Sequence, residues 1–217
     1  MSLPSVARST KKPPEKAKLR FGPADHGRTV TNREIETAEY ILGFKYEIIE
    51  GKLYASPQPN VPENRLEHWL RRTLERFSDA HSEIVNYVTP KGRVFLPEAV
   101  RMTVPEPDIA VYARFPLDWD EDASSWADIS PILVVEVLVE GSIEKDLGRN
   151  PGLYLSVPSI QEYWVLDGSV NWREPSLIRY VRRGKKWVVR THPFGSTIET
   201  KMLPGFTLVI DPRHECK

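Results

Sequence analysis

Residues 131–139, PILVVEVLV, decide how the rest of the chain is read. A nearly unbroken apolar run of this length suits a central strand covered on both faces. Glu136 interrupts it. Side chains of a strand alternate with period two, so Glu136 points the same way as Val134 and Leu138. An ionised carboxylate buried without a partner is costly, and the remedies are pairing, protonation or a metal. Two readings stand for Glu136 alone: a functional carboxylate, or a strand end where it reaches water or a buried Arg.

The preceding apolar segment supplies a second acid. In residues 105–112, PEPDIAVY, Asp108 sits where a strand begins, behind prolines that hold the backbone extended. Alone it is an ordinary turn acid. Followed by Glu136 in the next apolar strand, it becomes one half of a pair that adjacent strands bring within reach of one hard cation. Mg²⁺ typically takes one or two carboxylates and keeps its waters, and such an ion activates water and offsets charge on a phosphodiester.

Outward from this pair the pattern is mixed. Thr31 or Asn32 caps a helix running to Leu42, with Gly43 at its end. FKYEIIEGKLYAS (44–56) reads as a hairpin with Glu50-Gly51 at the turn, between residues 46–49 and 52–54. NRLEHWLRRTLERF (64–77) repeats Leu66, Leu70, Leu74 and Phe77 at helical spacing. IVNYV, GRVFL and VRMTV are three strand candidates between residues 84 and 104. EYWVLD, the pair SLIRYVRR and KKWVVR around Gly184, and FTLVI are strands later in the chain. The order predicts an α+β layer fold rather than a regular βαβ series.

Composition bounds the remaining choices. At 217 residues, with 40% hydrophobic and 28% charged residues, the chain suits one domain with tails. Residues 1–30 read as a disordered basic tail, 31–212 as the domain and 213–217 as a C-terminal tail. No apolar run approaches a membrane span and no secretory core opens the sequence, so a cytoplasmic location without membrane association is expected. A single cysteine, Cys216, rules out an internal disulfide and a Cys-rich zinc site. Zero net charge argues mildly against a dedicated nucleic-acid coat. The basic runs in residues 1–28 and 173–190, and the acidic one over 118–128, read as solvated surface.

YEIIEGKLY, PEPDIAVY, PILVVEVLVEGS and KDLGRNPGLYLSVPSIQEYWVLD, in that order, resemble a large, uncharacterised bacterial family assigned as restriction endonucleases within the PD-(D/E)XK superfamily. The resemblance covers about residues 30–212. It implies a restriction-endonuclease-like core, a mixed central sheet flanked by helices, and Mg²⁺ or Mn²⁺ as cofactor. By that resemblance Asp108 and Glu136 take the metal-binding and catalytic acid positions, and Glu47 matches a further acid with a metal-binding role. DNA is then the expected partner and a homodimer the expected assembly.

The resemblance is broken at the catalytic lysine. Two residues past the acid stands Leu138, which cannot orient water. Many members of the family carry the lysine on the following helix, four residues before a Tyr; the match for that Tyr is Tyr154, which puts Asn150 at the lysine position. Lys145 and Arg149 are the nearby cations. With Pro151 favoured in a first helical turn, Asn150 reads as an N-cap and Lys145 as a loop residue free to reach inward. Lys145 is the chosen substitute, against the reading of a solvated lysine. His68 and His81 lack ligand spacing, Tyr163 and Trp164 read as core, and Arg182, Arg183, Lys185 and Lys186 as a charged edge that discourages aggregation. Two functions remain: a Mg²⁺-dependent endonuclease, or a nuclease fold that binds nucleic acid or protein without cutting.

Overall fold

In the computed structural model, which describes residues 18–58, 60–118, 125–138 and 143–213, Glu50 and Gly51 both take positive φ, 52° and 75°. That backbone closes a two-residue turn whose twist matches its strands. It joins β3 (Phe44–Ile49) to β4 (Lys52–Pro57), a hairpin longer than the sequence outlined. Before it lie β1 (Arg20–Phe21), α1 (Asn32–Thr37) and β2 (Glu39–Tyr40).

The tail expected through residue 30 is corrected for residues 18–30. β1 pairs in parallel with β2, and Phe21 and Val30 are buried with Ile35, Ile48 and Leu53. One aromatic and one β-branched side chain anchored in a core outweigh the polar composition around them. Residues 1–17 and 214–217 lie outside the described residues. Thr31 caps α1, with Glu34 completing the capping box. The helix stops at Thr37 rather than Leu42, because Ala38 turns extended and residues 39–40 join β1.

α2 (Val61–Ala80) begins earlier than its apolar repeat. Asn60 accepts from the Glu63 N–H at 3.0 Å, and Pro62 sits in the first turn. After it come β5 (Tyr87–Pro90), β6 (Ile109–Tyr112), β7 (Leu133–Leu138), α3 (Asn150–Leu155), β8 (Glu162–Asp167), β9 (Ser176–Arg183) and β10 (Lys186–His192). β11 (Thr197–Thr200) and β12 (Leu203–Val209) form a closing hairpin. GRVFL and VRMTV form no regular ladder. They run side by side through Val94 N–H to Pro105 O and Leu96 N–H to Thr103 O, while Val104 bridges Ile48 of β3.

Six strands make the central mixed sheet, in the order β10-β9-β8-β7-β6-β5, with only β7 and β8 parallel. Parallel neighbours need a crossover, and α3 with the turn before it belongs to that connection. The fold is the α+β architecture expected. Leu66, Leu70 and Leu74 of α2 cover one sheet face against Val135 and Trp164. Tyr154 and Val157 cover the other against Val134, Leu138 and Val165. β7 is buried along its whole length, the physical reason its sequence hardly alternates. Among the described residues no helix is long and apolar enough to cross a membrane. Residues 119–124 of the acidic stretch lie outside the described residues.

Candidate active site

β6 and β7 run antiparallel with Ile109 opposite Val135, and this register sets Asp108, just before β6, across from Glu136. The Oδ2 of Asp108 accepts from the Val137 N–H at 2.7 Å, which fixes the carboxylate against β7. Its Oδ1 accepts from the Lys45 Nζ at 2.8 Å. The same ammonium lies 3.5 Å from Oε2 of Glu136. Two buried carboxylates on neighbouring strands therefore converge on a single buried cation.

Lys45 is the residue that sequence reasoning missed. It lies on β3 two positions before Glu47, so the two share a strand face, while Tyr46 and Ile48 face the small core with Phe21 and Leu53. The alternation in FKYEII was a usable signal: an acid credited with a site role has a lysine beside it on its own face. Glu47 carries the next layer. Its Oε2 accepts from Arg149 at 3.2 Å, its Oε1 lies 3.6 Å from Lys145 Nζ, and the Glu106 N–H donates to it at 3.4 Å.

The crossover after β7 supplies the rest. Residues Glu144–Arg149 form a π-helical turn in which the Asn150 N–H reaches back to Lys145 O. Pro151 has no N–H to donate to Leu147 and its ring crowds that carbonyl; the wider turn accommodates both. Asn150 itself is helical (φ −62°, ψ −35°) and opens α3, with Arg149 before it. The reading of Asn150 as an N-cap and of Lys145 as a loop residue is therefore corrected: Lys145 reaches inward from a helical turn. Its Nζ lies 3.7 Å from Glu136, 3.6 Å from Glu47 and 3.6 Å from Asp146.

Oε1 of Glu136 accepts from Asn150 Nδ2 at 2.9 Å and from the Tyr154 hydroxyl at 2.8 Å. Asn150 also donates to Asp146 and accepts from Arg149 Nε. Asn150 and Tyr154 thus hold one oxygen of Glu136, while its other oxygen faces the two lysines. All six residues singled out from the sequence (Glu47, Asp108, Glu136, Lys145, Arg149 and Asn150) share this cluster.

Among the described residues, four carboxyl groups (Glu47, Asp108, Glu136, Asp146) meet three cations (Lys45, Lys145, Arg149) in the cluster. Burial pushes Glu136 up to about 8, against the pull of Lys145 and Lys45 and with the help of Asp108. Burial acts on Asp108 too, but Lys45 and Lys145 and the bond from Val137 hold it below the usual range. Glu47 is likewise buried and held low by Lys145, Lys45 and Arg149. Glu63 on α2 and Glu106 are each raised by burial to about 7. Among the described residues no three His, Cys, Asp or Glu side chains converge on one metal position. Two carboxylates are the number that Mg²⁺ commonly takes from a protein, so the Asp108–Glu136 pair suits a hard divalent ion.

His68 lies exposed on α2 beside Arg71, and His81 ends the helix against Phe77. Tyr163 and Trp164 are core residues, as expected. Arg182 is no open phosphate ligand: it donates to the backbone carbonyls of Ile160, Leu155, Tyr154 and Val157, clamping the end of α3 onto β9.

No curated protein matches the chain. Among solved structures, a chain from Anabaena variabilis described as a putative nuclease belonging to DUF820 matches with a TM-score of 0.57 and 16% identity, over 76% of this chain and 87% of that one. That likeness shows a common fold. The model of the family Uma2, described as "Putative restriction endonuclease", matches residues 38–211, a span holding every residue of the cluster. The chain belongs to this family.

Proposed function

We propose that this protein is a divalent-metal-dependent endonuclease that hydrolyses DNA phosphodiester bonds, with Asp108 and Glu136 holding Mg²⁺ or Mn²⁺. The observation that carries the reading is the convergence of both carboxylates on one position, filled here by the Lys45 ammonium. A position that holds a positive charge between two hard oxygen donors suits a divalent ion. When bound, such an ion neutralises charge on the phosphodiester and lowers the pKa of its water.

The chain's own groups do the rest. Leu138 leaves the usual lysine position empty of charge, yet the cluster has two ammonium groups. Lys145, with 27% of its side chain exposed, is the one with access to solvent, against 9% for Lys45. In this reading it orients the attacking water and offsets charge on the phosphoryl oxygens, which its exposure supports. Glu47 holds Lys145 and Arg149 in position; a direct metal role for Glu47 requires releasing them. Asn150 and Tyr154 fix the orientation of Glu136. Cutting both strands of a duplex takes two such sites, which is the reason to expect a homodimer.

Supercoiled plasmid incubated with the protein and Mg²⁺ or Mn²⁺ tests the proposal. Nicked or linear product is expected from the parent, and none with EDTA or from Asp108→Ala and Glu136→Ala. Lys145→Ala is expected to lower the rate about 10²-fold or more. A folded parent that cuts no DNA with any divalent ion overturns the reading, in favour of a nuclease fold that only binds. So does cleavage that survives both carboxylate substitutions.

A further inference from the structure

On the far side of α2 from the acidic cluster lies a second cleft of about 830 Å³, walled by the helix, the loop after β8 and residues Pro212 and Arg213. Arg65, Trp69, Arg72 and Arg76 follow one another at helical spacing along this wall. Trp172 and Arg173 face them from the loop. Glu63, raised partly by Asp108, is two residues from Arg65, and about 100° of rotation per residue puts the two on opposite sides of the helix. In a chain of zero net charge, this cleft is lined by five arginines; Arg213 is held by Asp211 and Arg72 lies 4.0 Å from Glu75, both acids outside the lining.

Two details make it more than a charged surface. Arg65 and Arg173 both stack on Trp172, their guanidinium carbons 5.4 and 4.5 Å from the ring centroid. Among the described residues neither side chain meets a carboxylate, so each planar fork is oriented while its N–H groups are left for a ligand. The second basic cleft, on the sheet, differs: there Arg179 is held by Glu162 and Arg182 by backbone carbonyls. The approach of the loop to α2 also has a cause in sequence. A Cβ at Gly168 would lie 2.7 Å from Leu66 and 3.0 Å from the Trp172 backbone, so only glycine lets Trp172 sit against the helix.

We propose that this cleft binds a single strand of nucleic acid through its phosphates. Arg65 to Arg76 spans about 16 Å of helix axis, a row of guanidinium groups long enough to follow consecutive phosphates of one extended strand. Arginine forks match phosphate bidentately, and Trp172 holds two of them in place. The site stands apart from the acidic cluster and does not depend on cleavage.

Binding of a fluorescein-labelled oligothymidylate to the full chain, followed by anisotropy in EDTA at low salt, tests this. The parent is expected to bind, more weakly as salt rises. Arg65→Glu combined with Arg72→Glu, both on exposed positions, is expected to lose tenfold or more, and to lower the salt slope by about 1.4 for two lost phosphate contacts. Arg65→Lys with Arg72→Lys, which keeps the charge but not the fork, is expected to bind between the parent and the charge-reversed protein, and Trp172→Ala weakens binding with an unchanged far-UV circular dichroism spectrum. The proposal is overturned if the oligonucleotide fails to bind, if the charge-reversed protein binds equally well, or if duplex of the same sequence or polyglutamate binds more tightly.

Discussion

Lys45 carries one positive charge between two buried carboxylates, and its loss defines the sharpest residue-scale expectation. Lys45→Met removes the cation lying between Asp108 and Glu136 and leaves only Lys145, 3.7 Å from Glu136. Breaking a buried pair from one side costs about 3–5 kcal/mol, read as a fall in the urea midpoint at unchanged slope. Because the same position suits a divalent ion, Mn²⁺ is expected to raise the Tm of the variant more than that of the parent. An equal response in both proteins would separate the lysine position from the ion position. Glu63 sets a pH dependence. Unfolded, it titrates near 4.5; in the fold, burial and then Asp108 raise it to about 7. Between those values the folded state holds the extra proton, so Glu63 makes stability fall as pH rises through this window. Glu63→Gln is expected to match the parent in Tm near pH 4.5 and exceed it at pH 8. A constant difference across the range would show that the Glu63 carboxyl titrates normally.

At the scale of elements, α2 connects the two surfaces on which the proposals rest. Its first two turns bring Glu63 and Glu67 near Asp108, and its outer stripe lines the basic cleft. Asn60→Ala removes the cap on the Glu63 N–H and is expected to cost about 1 kcal/mol, measurable by thermal melting. The π-helical turn before α3 is the other element that matters. It lets Lys145 and Arg149 reach Glu47 while Asn150 and Tyr154 reach Glu136 from the turn that follows.

Across the whole molecule the cluster is shared between separate cores. Lys45 and Glu47 ride on the β3–β4 hairpin, which packs with Phe21, Ile35 and Val104. Asp108 and Glu136 belong to the central sheet. The joint is the Ile48–Val104 bridge, with bonds of 3.1 and 2.6 Å. Leu70→Ala and Ile48→Ala both delete a fully buried side chain, and each is expected to cost about 2–5 kcal/mol. Leu70 lies between α2 and the sheet, so DNA cleavage per folded molecule is expected to survive its loss. Ile48 packs with Val104, on the segment that leads into Asp108, so its truncation is expected to lower cleavage beyond the lost stability. Equal activity in the two variants would show that the hairpin contributes nothing to the site.

The sequence by itself determined the strands around residues 109 and 133, the hairpin turn at Glu50-Gly51, the amphipathic α2 and the pairing of Asp108 with Glu136. Each follows from local chemistry: apolar period, turn residues, a charge where a buried strand tolerates none. Tertiary structure decided what those rules cannot reach. Lys45 reads as the exposed edge of a hairpin until the hairpin docks, when its face becomes interior and its ammonium meets acids 63 and 91 positions away. Residues 18–30 look too polar to order until Phe21 finds a core already built by others. Lys145 and Asn150 take their roles from a π-turn set by Pro151 against the sheet. Burial and charge pairing depend on neighbours distant in the chain, and only the packed molecule brings those neighbours together.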